Sequence, residues 1–164
     1  MNEINDGFLN FMYSEYLKDQ NMEGGNRYWN QIKRDFSNVM KNDIPCYIHM
    51  ARSGVFLYDG YQYQVRKLLG YMVANDIVVF SGGNSVGYAL KQMGRNEKDL
   101  NFILNGNEYQ MLREITNWVG LMRSKSVKLN AFNFIRDMYS WKAQETNANK
   151  NWVRKMWVRD YMGF

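Results

Sequence analysis

The chain has 164 residues, 46% of them apolar and 23% charged, which excludes wholesale disorder and suits one folded domain with its own core. One Cys and one His exclude an internal disulfide framework and a multi-cysteine zinc site. The net charge of +5 is lopsided: residues 1–120 hold 12 Lys/Arg against 13 Asp/Glu, and residues 121–164 hold 9 against 3.

In chain order, Leu9, Met12, Tyr13, Tyr16 and Leu17 recur at helical spacing, which predicts an amphipathic helix over 6–18 with Asp6 as its N-cap. Glu23-Gly24-Gly25-Asn26 interrupts the pattern. A second helix is expected at about 27–41, with Tyr28, Trp29, Ile32, Phe36, Val39 and Met40 inward. Asn42-Asp43-Ile44-Pro45 ends it, since the residue before a proline avoids the helical region. Cys46 to Arg52 is ambiguous, one helical turn or two.

Val55 to Tyr58 and Tyr61 to Val65 flank Asp59-Gly60, and this predicts a β-hairpin: Asp-Gly supplies positive φ angles, and Tyr61, Tyr63 and Val65 alternate with Gln62 and Gln64. A helix is expected over 66–75, a short strand at Ile77–Phe80, a turn at Ser81–Asn84 and a short helix over 85–93. Residues 97–106 read as a helical turn plus loop. Met111, Leu112, Ile115, Trp118, Val119 and Met122 give the strongest helical stripe, about 107–123. A further helix spans about 127–142, and Phe134 and Trp141 widen its apolar surface beyond one stripe. Polar residues 143–151 read as a linker to a last helix at about 151–161. There Trp152, Val153, Met156 and Trp157 share a side, and Asp160 breaks into the apolar arc.

The expected fold is therefore mainly α: a domain of about six helices over 1–142 with the hairpin near 55–65, then a basic, aromatic C-terminal helical arm over 143–164. No apolar run approaches the ~18 residues of a membrane span. The polar N-terminus lacks the basic and apolar regions of a secretory signal. With the lone Cys, this fits the cytoplasm or a particle assembled there. Twenty Asn, 12 Met and 12 Tyr beside a single Pro fit an AT-rich coding genome such as that of a bacteriophage of a low-GC host.

Four constellations could carry chemistry. Cys46 and His49 sit three residues apart, but no third or fourth ligand of the usual kind is near, so no metal is expected. Glu15 and Asp19 lie i, i+4 on a polar helix face and read as solvated. Gly83-Asn84-Ser85-Val86-Gly87 resembles the G-x-S-x-G elbow of the α/β-hydrolase family over about 15 residues, between an expected strand and an expected helix. That resemblance implies Ser85 as nucleophile, yet the family's histidine follows its serine, and the only one here, His49, precedes it. Ser81-Gly82-Gly83-Asn84-Ser85 is similar to the SGG-x-D-S loop of PP-loop ATP pyrophosphatases without its aspartate. It implies an anion held at a helix N-terminus. The plain reading of both is a glycine turn. With neither a Walker A lysine nor G-x-G-x-x-G, no cofactor and no catalytic residue are assigned.

The expected function is non-enzymatic: an interaction or assembly protein, of the kind found in phage virions or connectors, whose C-terminal arm docks on a neighbouring subunit or another protein. Trp152, Met156, Trp157 and Phe164 would be anchors, with Tyr161 beside them and Arg154, Lys155 and Arg159 as a polar rim. The alternative is nucleic-acid binding by the same segment, joined by Arg123, Lys125, Lys128 and Arg136. A membrane-surface helix is a further reading of the basic-aromatic mixture. Below these stands an enzyme, serine hydrolase-like or nucleotide-binding, at loop 81–87.

Overall fold

The computed structural model describes residues 6–55, 60–144 and 152–163, the last three of 60–144 by backbone alone. Its described residues are mainly helical, with nine helices and a two-stranded parallel sheet. The chain divides into two compact units, one ending at Asn75 and one beginning at Asp76. The last helix belongs to the second of them. No helix among the described residues is long and apolar enough to cross a membrane.

The first unit holds α1 (Gly7–Asn21), α2 (Arg27–Ser37), α3 (Ile44–Arg52) and α4 (Gly60–Ala74). Asp6 caps α1 as the sequence predicts, accepting the Leu9 N–H at 2.8 Å. Its other oxygen accepts from Arg66 Nη2 of α4 at 2.6 Å, in a buried ion pair. Asn26 caps α2 through the Tyr28 N–H and donates to Glu15 of α1, which ties the two helices at one end. Phe8, Leu9 and Met12 of α1 and Trp29, Ile32 and Phe36 of α2 form the core with α4. Gly70 of α4 is needed there, since a Cβ would lie 2.2 Å from Phe36.

The hairpin near 55–65 is a correction. Residues 56–59 lie outside the described ones, and Tyr61 to Val65 is the first part of α4. Tyr61, Val65, Leu68, Leu69 and Met72 are buried along one helical stripe, while Tyr63 is half-buried. Tyr63 stacks on Tyr47 at 4.9 Å and donates to Asp43 at 2.7 Å. Spacing i, i+4 satisfies both a period of 2 and one of 3.6, so Tyr61 and Val65 alone cannot separate strand from helix.

Cys46 to Arg52 is settled as helix α3, opened by Pro45 in its first turn, where the missing N–H costs nothing. The helix count thus rises above six.

The second unit runs β1 (Val78–Val79), α5 (Val86–Gln92), α6 (Glu97–Asn105), α7 (Glu108–Ser124), β2 (Leu129–Asn130), α8 (Ala131–Gln144) and α9 (Trp152–Met162). The expected turn plus loop at 97–106 is the helix α6, whose capping box pairs Asn96 with Asp99. The same device, Asn107 with Gln110, opens α7. Residues 127–130 were expected to be helical. Instead Leu129 and Asn130 pair in parallel with Val78 and Val79, and Leu129 N–H donates to the Ile77 carbonyl at 2.7 Å. Asn130 then caps α8 through the Asn133 N–H. The linker residues 145–151 and the terminal Phe164 lie outside the described residues.

Candidate interaction surface on the C-terminal helix

Helix α9 has two unlike faces. Val153, Trp157, Asp160 and Tyr161 recur at i, i+4, i+7 and i+8 and are buried. Trp152, Lys155, Arg159 and Met162 form the opposite, exposed stripe.

The inner face sits on α5 and α8 of its own unit. Gly87 of α5 makes this possible: a Cβ there would lie 2.3 Å from the Trp157 carbonyl oxygen. Trp157 is fully buried, 5.2 Å from the Trp141 ring, and its indole N–H donates to Asp137 Oδ2 at 3.0 Å. Burying an aromatic or Val side chain is worth roughly 1.5–3 kcal/mol. Trp157 and Val153 therefore hold α9 onto its own unit before polar contacts are counted. Burial pushes the Asp137 carboxyl above its ordinary range, and Asp160 adds to this; Trp157's hydrogen bond and Arg136 oppose it.

Arg154 lies over the Trp141 ring at 4.0 Å and donates from Nε to the Leu104 carbonyl at 3.0 Å. Tyr161 donates to the Arg95 carbonyl at 2.7 Å, with Lys91 Nζ 5.3 Å from its ring centre. Trp157, an expected anchor, and Tyr161, expected beside the anchors, are thus core residues of their own chain, and Met156, another expected anchor, is half-buried. The outer face keeps Trp152, 46% exposed, Met162, 43% exposed, and the exposed Lys155 and Arg159. Arg159 pairs with Asp160 at 3.2 Å.

No family model, curated protein or solved structure matches this chain. The surface is read from its own chemistry.

The four basic residues upstream each have contacts within the chain. Lys125 donates to the Met93 carbonyl at 2.8 Å, and Lys128 to the Asp76 carbonyl. Arg136 pairs with Asp137 at 3.2 Å and lies 5.9 Å from the Trp152 ring centre. Arg123 is exposed.

In loop 81–87, Gly83, Asn84, Ser85 and Gly87 have packing roles. Gly83 has φ +84, and a Cβ would meet Asn130 N and Leu129 C at 3.0 Å. Asn84 bridges in parallel to Leu129. Ser85 caps α5 through the Tyr88 N–H and donates from Oγ to Asp160 Oδ2 at 2.7 Å. Gly87 admits α9. Asp160, discordant in the sequence pattern, is the residue that joins this loop to α9.

Met162 is the surface residue that sequence reasoning missed. It completes the i+3, i+7 and i+10 series from Trp152, a spacing that was readable. Cys46 and His49 are both buried in the first unit, and no group of three or more His, Cys, Asp or Glu that could hold a metal occurs among the described residues.

Proposed function

We propose that the protein is a non-enzymatic interaction and assembly protein that contacts a neighbouring protein chain through the outer face of α9. The observation that carries this is the pairing of Trp152 and Met162 with Lys155 and Arg159 on a helix whose other face is already filled. An exposed Trp and Met flanking two basic residues have the chemistry of an interface anchor. The contact uses the helix as a rigid edge of the second unit, so little ordering entropy opposes docking.

Deleting residues 143–164 is a poor test, because it would uncover the α5 and α8 surfaces that Val153 and Trp157 fill. Trp152→Glu leaves the inner face intact. We expect it to abolish the complex while the thermal melt stays within about 0.5 kcal/mol of wild type, as for other surface changes. A Trp152→Glu protein that still assembles would sink the proposal.

A second reading is supported by charge. The second unit carries 13 Lys/Arg against 8 Asp/Glu, a net +5, while the first carries 8 of each. Such an excess draws polyanions, and Trp152 and the exposed Tyr88 could stack on bases. Binding of a single-stranded oligonucleotide that falls steeply between 50 and 200 mM salt, by about tenfold or more, would favour it. Salt-insensitive or absent binding would remove it. The virion or connector setting is carried by composition alone.

A further inference from the structure

The first unit contains a relay of polar side chains unrelated to α9. His49 of α3 is 1% exposed and lies beside the rings of Phe36, at 5.5 Å, and Tyr28, at 5.8 Å. Its Nε2 is 2.8 Å from Asp35 Oδ2, and its Nδ1 is 3.1 Å from the Tyr28 hydroxyl. An ionised carboxylate only accepts, so the network assigns the ring proton to Nε2. In the neutral ring Nδ1 then accepts, and the donor that reaches it is the Tyr28 O–H. Arg52 Nη1–H donates to the same phenolic oxygen at 3.1 Å, with its guanidinium 5.3 Å from the Tyr28 ring centre.

These are the parts of an activated nucleophile: a hydroxyl, a base within hydrogen-bond reach, a carboxylate that fixes the base's tautomer, and a cation beside the oxygen. Burial is graded the same way. His49 is enclosed, Tyr28 is half-buried and Arg52 is exposed, so an incoming group reaches the tyrosine and arginine before the imidazole.

We propose that Tyr28 is an activated nucleophile, a site that accepts a phosphoryl group from an electrophilic phosphorus donor. The phenolic oxygen attacks phosphorus, and the new P–O bond forms as the bond to the leaving group breaks. The leaving group departs with that electron pair. The phenolic proton passes to His49 Nδ1, and Asp35 holds the resulting imidazolium. The planar guanidinium of Arg52 has further donors beyond the one given to Tyr28, and their fork matches phosphoryl oxygens. That match selects a phosphoryl donor over an acyl donor.

The test uses the full chain and a dialkyl fluorophosphate, whose leaving group is fluoride. Adducts are located and timed by peptide mass spectrometry. Tyr47 and Tyr109, 54% and 45% exposed, are internal controls with open access to the reagent. Tyr28 is expected to react at least about tenfold faster than either, a low value for general-base assistance. His49→Gln and Arg52→Ala are expected to bring its rate down to theirs. His49 is buried, so that variant counts only with a wild-type thermal melt. Arg52 is exposed, and its variant carries the test alone if the other fails to fold. Tyr28 reacting no faster than Tyr47 and Tyr109 in the wild type would overturn the proposal. So would an Arg52→Ala protein that keeps the full rate.

Discussion

Replacing Gly87 by Ala tests the seating of α9 with a single methyl group. Gly87 is the second residue of α5, and alanine in a helix is favoured over glycine by up to about 0.5–1 kcal/mol, so without a clash the variant would be no less stable. The clash is with backbone: the new Cβ would lie 2.3 Å from the Trp157 carbonyl oxygen and 3.0 Å from Asp160 Cβ. A backbone oxygen cannot rotate away as a side chain can. Restoring normal separation moves α5 and α9 apart by about 1 Å, which loosens the packing of Trp157 and stretches the Ser85–Asp160 hydrogen bond. Overpacking of this kind costs about 1–3 kcal/mol, and a lost hydrogen bond about 1 kcal/mol more. The net loss is about 1–3 kcal/mol, or a melting temperature lower by roughly 5–15 °C in a unit of this size. The assay is a thermal melt followed by tryptophan fluorescence. Gly120 of α7 is the control, because nothing lies within 4 Å of a Cβ built there. Gly120→Ala should melt slightly above wild type. A Gly87→Ala protein that melts as high as Gly120→Ala would refute the close α5–α9 crossing.

Three further predictions follow from buried groups. Asp137 has its carboxyl raised above the ordinary value of 3.8, so its share of stability is present below that value and lost as pH rises through the raised one. Asp137→Asn keeps an acceptor for Trp157, so its melting temperature relative to wild type should rise between pH 4 and pH 7; a constant or falling difference would contradict this. In the first unit, Arg66→Ala removes the buried 2.6 Å ion pair to Asp6 and should cost more than about 1 kcal/mol in a denaturant titration, whereas a smaller loss would mean the pair is solvated. Burial pushes the Cys46 thiol up to about 12, so a thiol reagent at pH 8 should label it only as the first unit unfolds; prompt labelling of the native chain would show the site to be open.

How much was legible in the sequence depended on whether a signal was local. Helix α7 was readable almost to the residue, because a long apolar stripe and the Asn107 cap agree. Helix α6 carries an equally local signal in Asn96 and Asp99, but its short apolar pattern also fits a turn plus loop. The second arm of the expected hairpin is helical: Tyr61 and Val65 fit two periods at once, and Asp59-Gly60 carries a turn signal without settling which. Strand β2 has two residues and no period to detect.

The face that α9 turns inward was decided by Gly87 and Ser85, far away in sequence, and no local pattern holds that information. The relay behind Tyr28 was hidden in a similar way. The sequence neighbour of His49 is Cys46, while its hydrogen-bond partners Asp35 and Tyr28 come from α2.

The most direct test of the assembly account is size-exclusion chromatography with light scattering on untreated and nuclease-treated protein, with 260 and 280 nm absorbance recorded for wild type and Trp152→Glu. The account predicts a wild-type mass at a multiple of 19.5 kDa that survives nuclease, and a Trp152→Glu chain at 19.5 kDa. A wild-type mass of 19.5 kDa, identical to that of the variant, would contradict self-assembly through α9. A 260 nm signal that nuclease removes would then give first place to nucleic-acid binding.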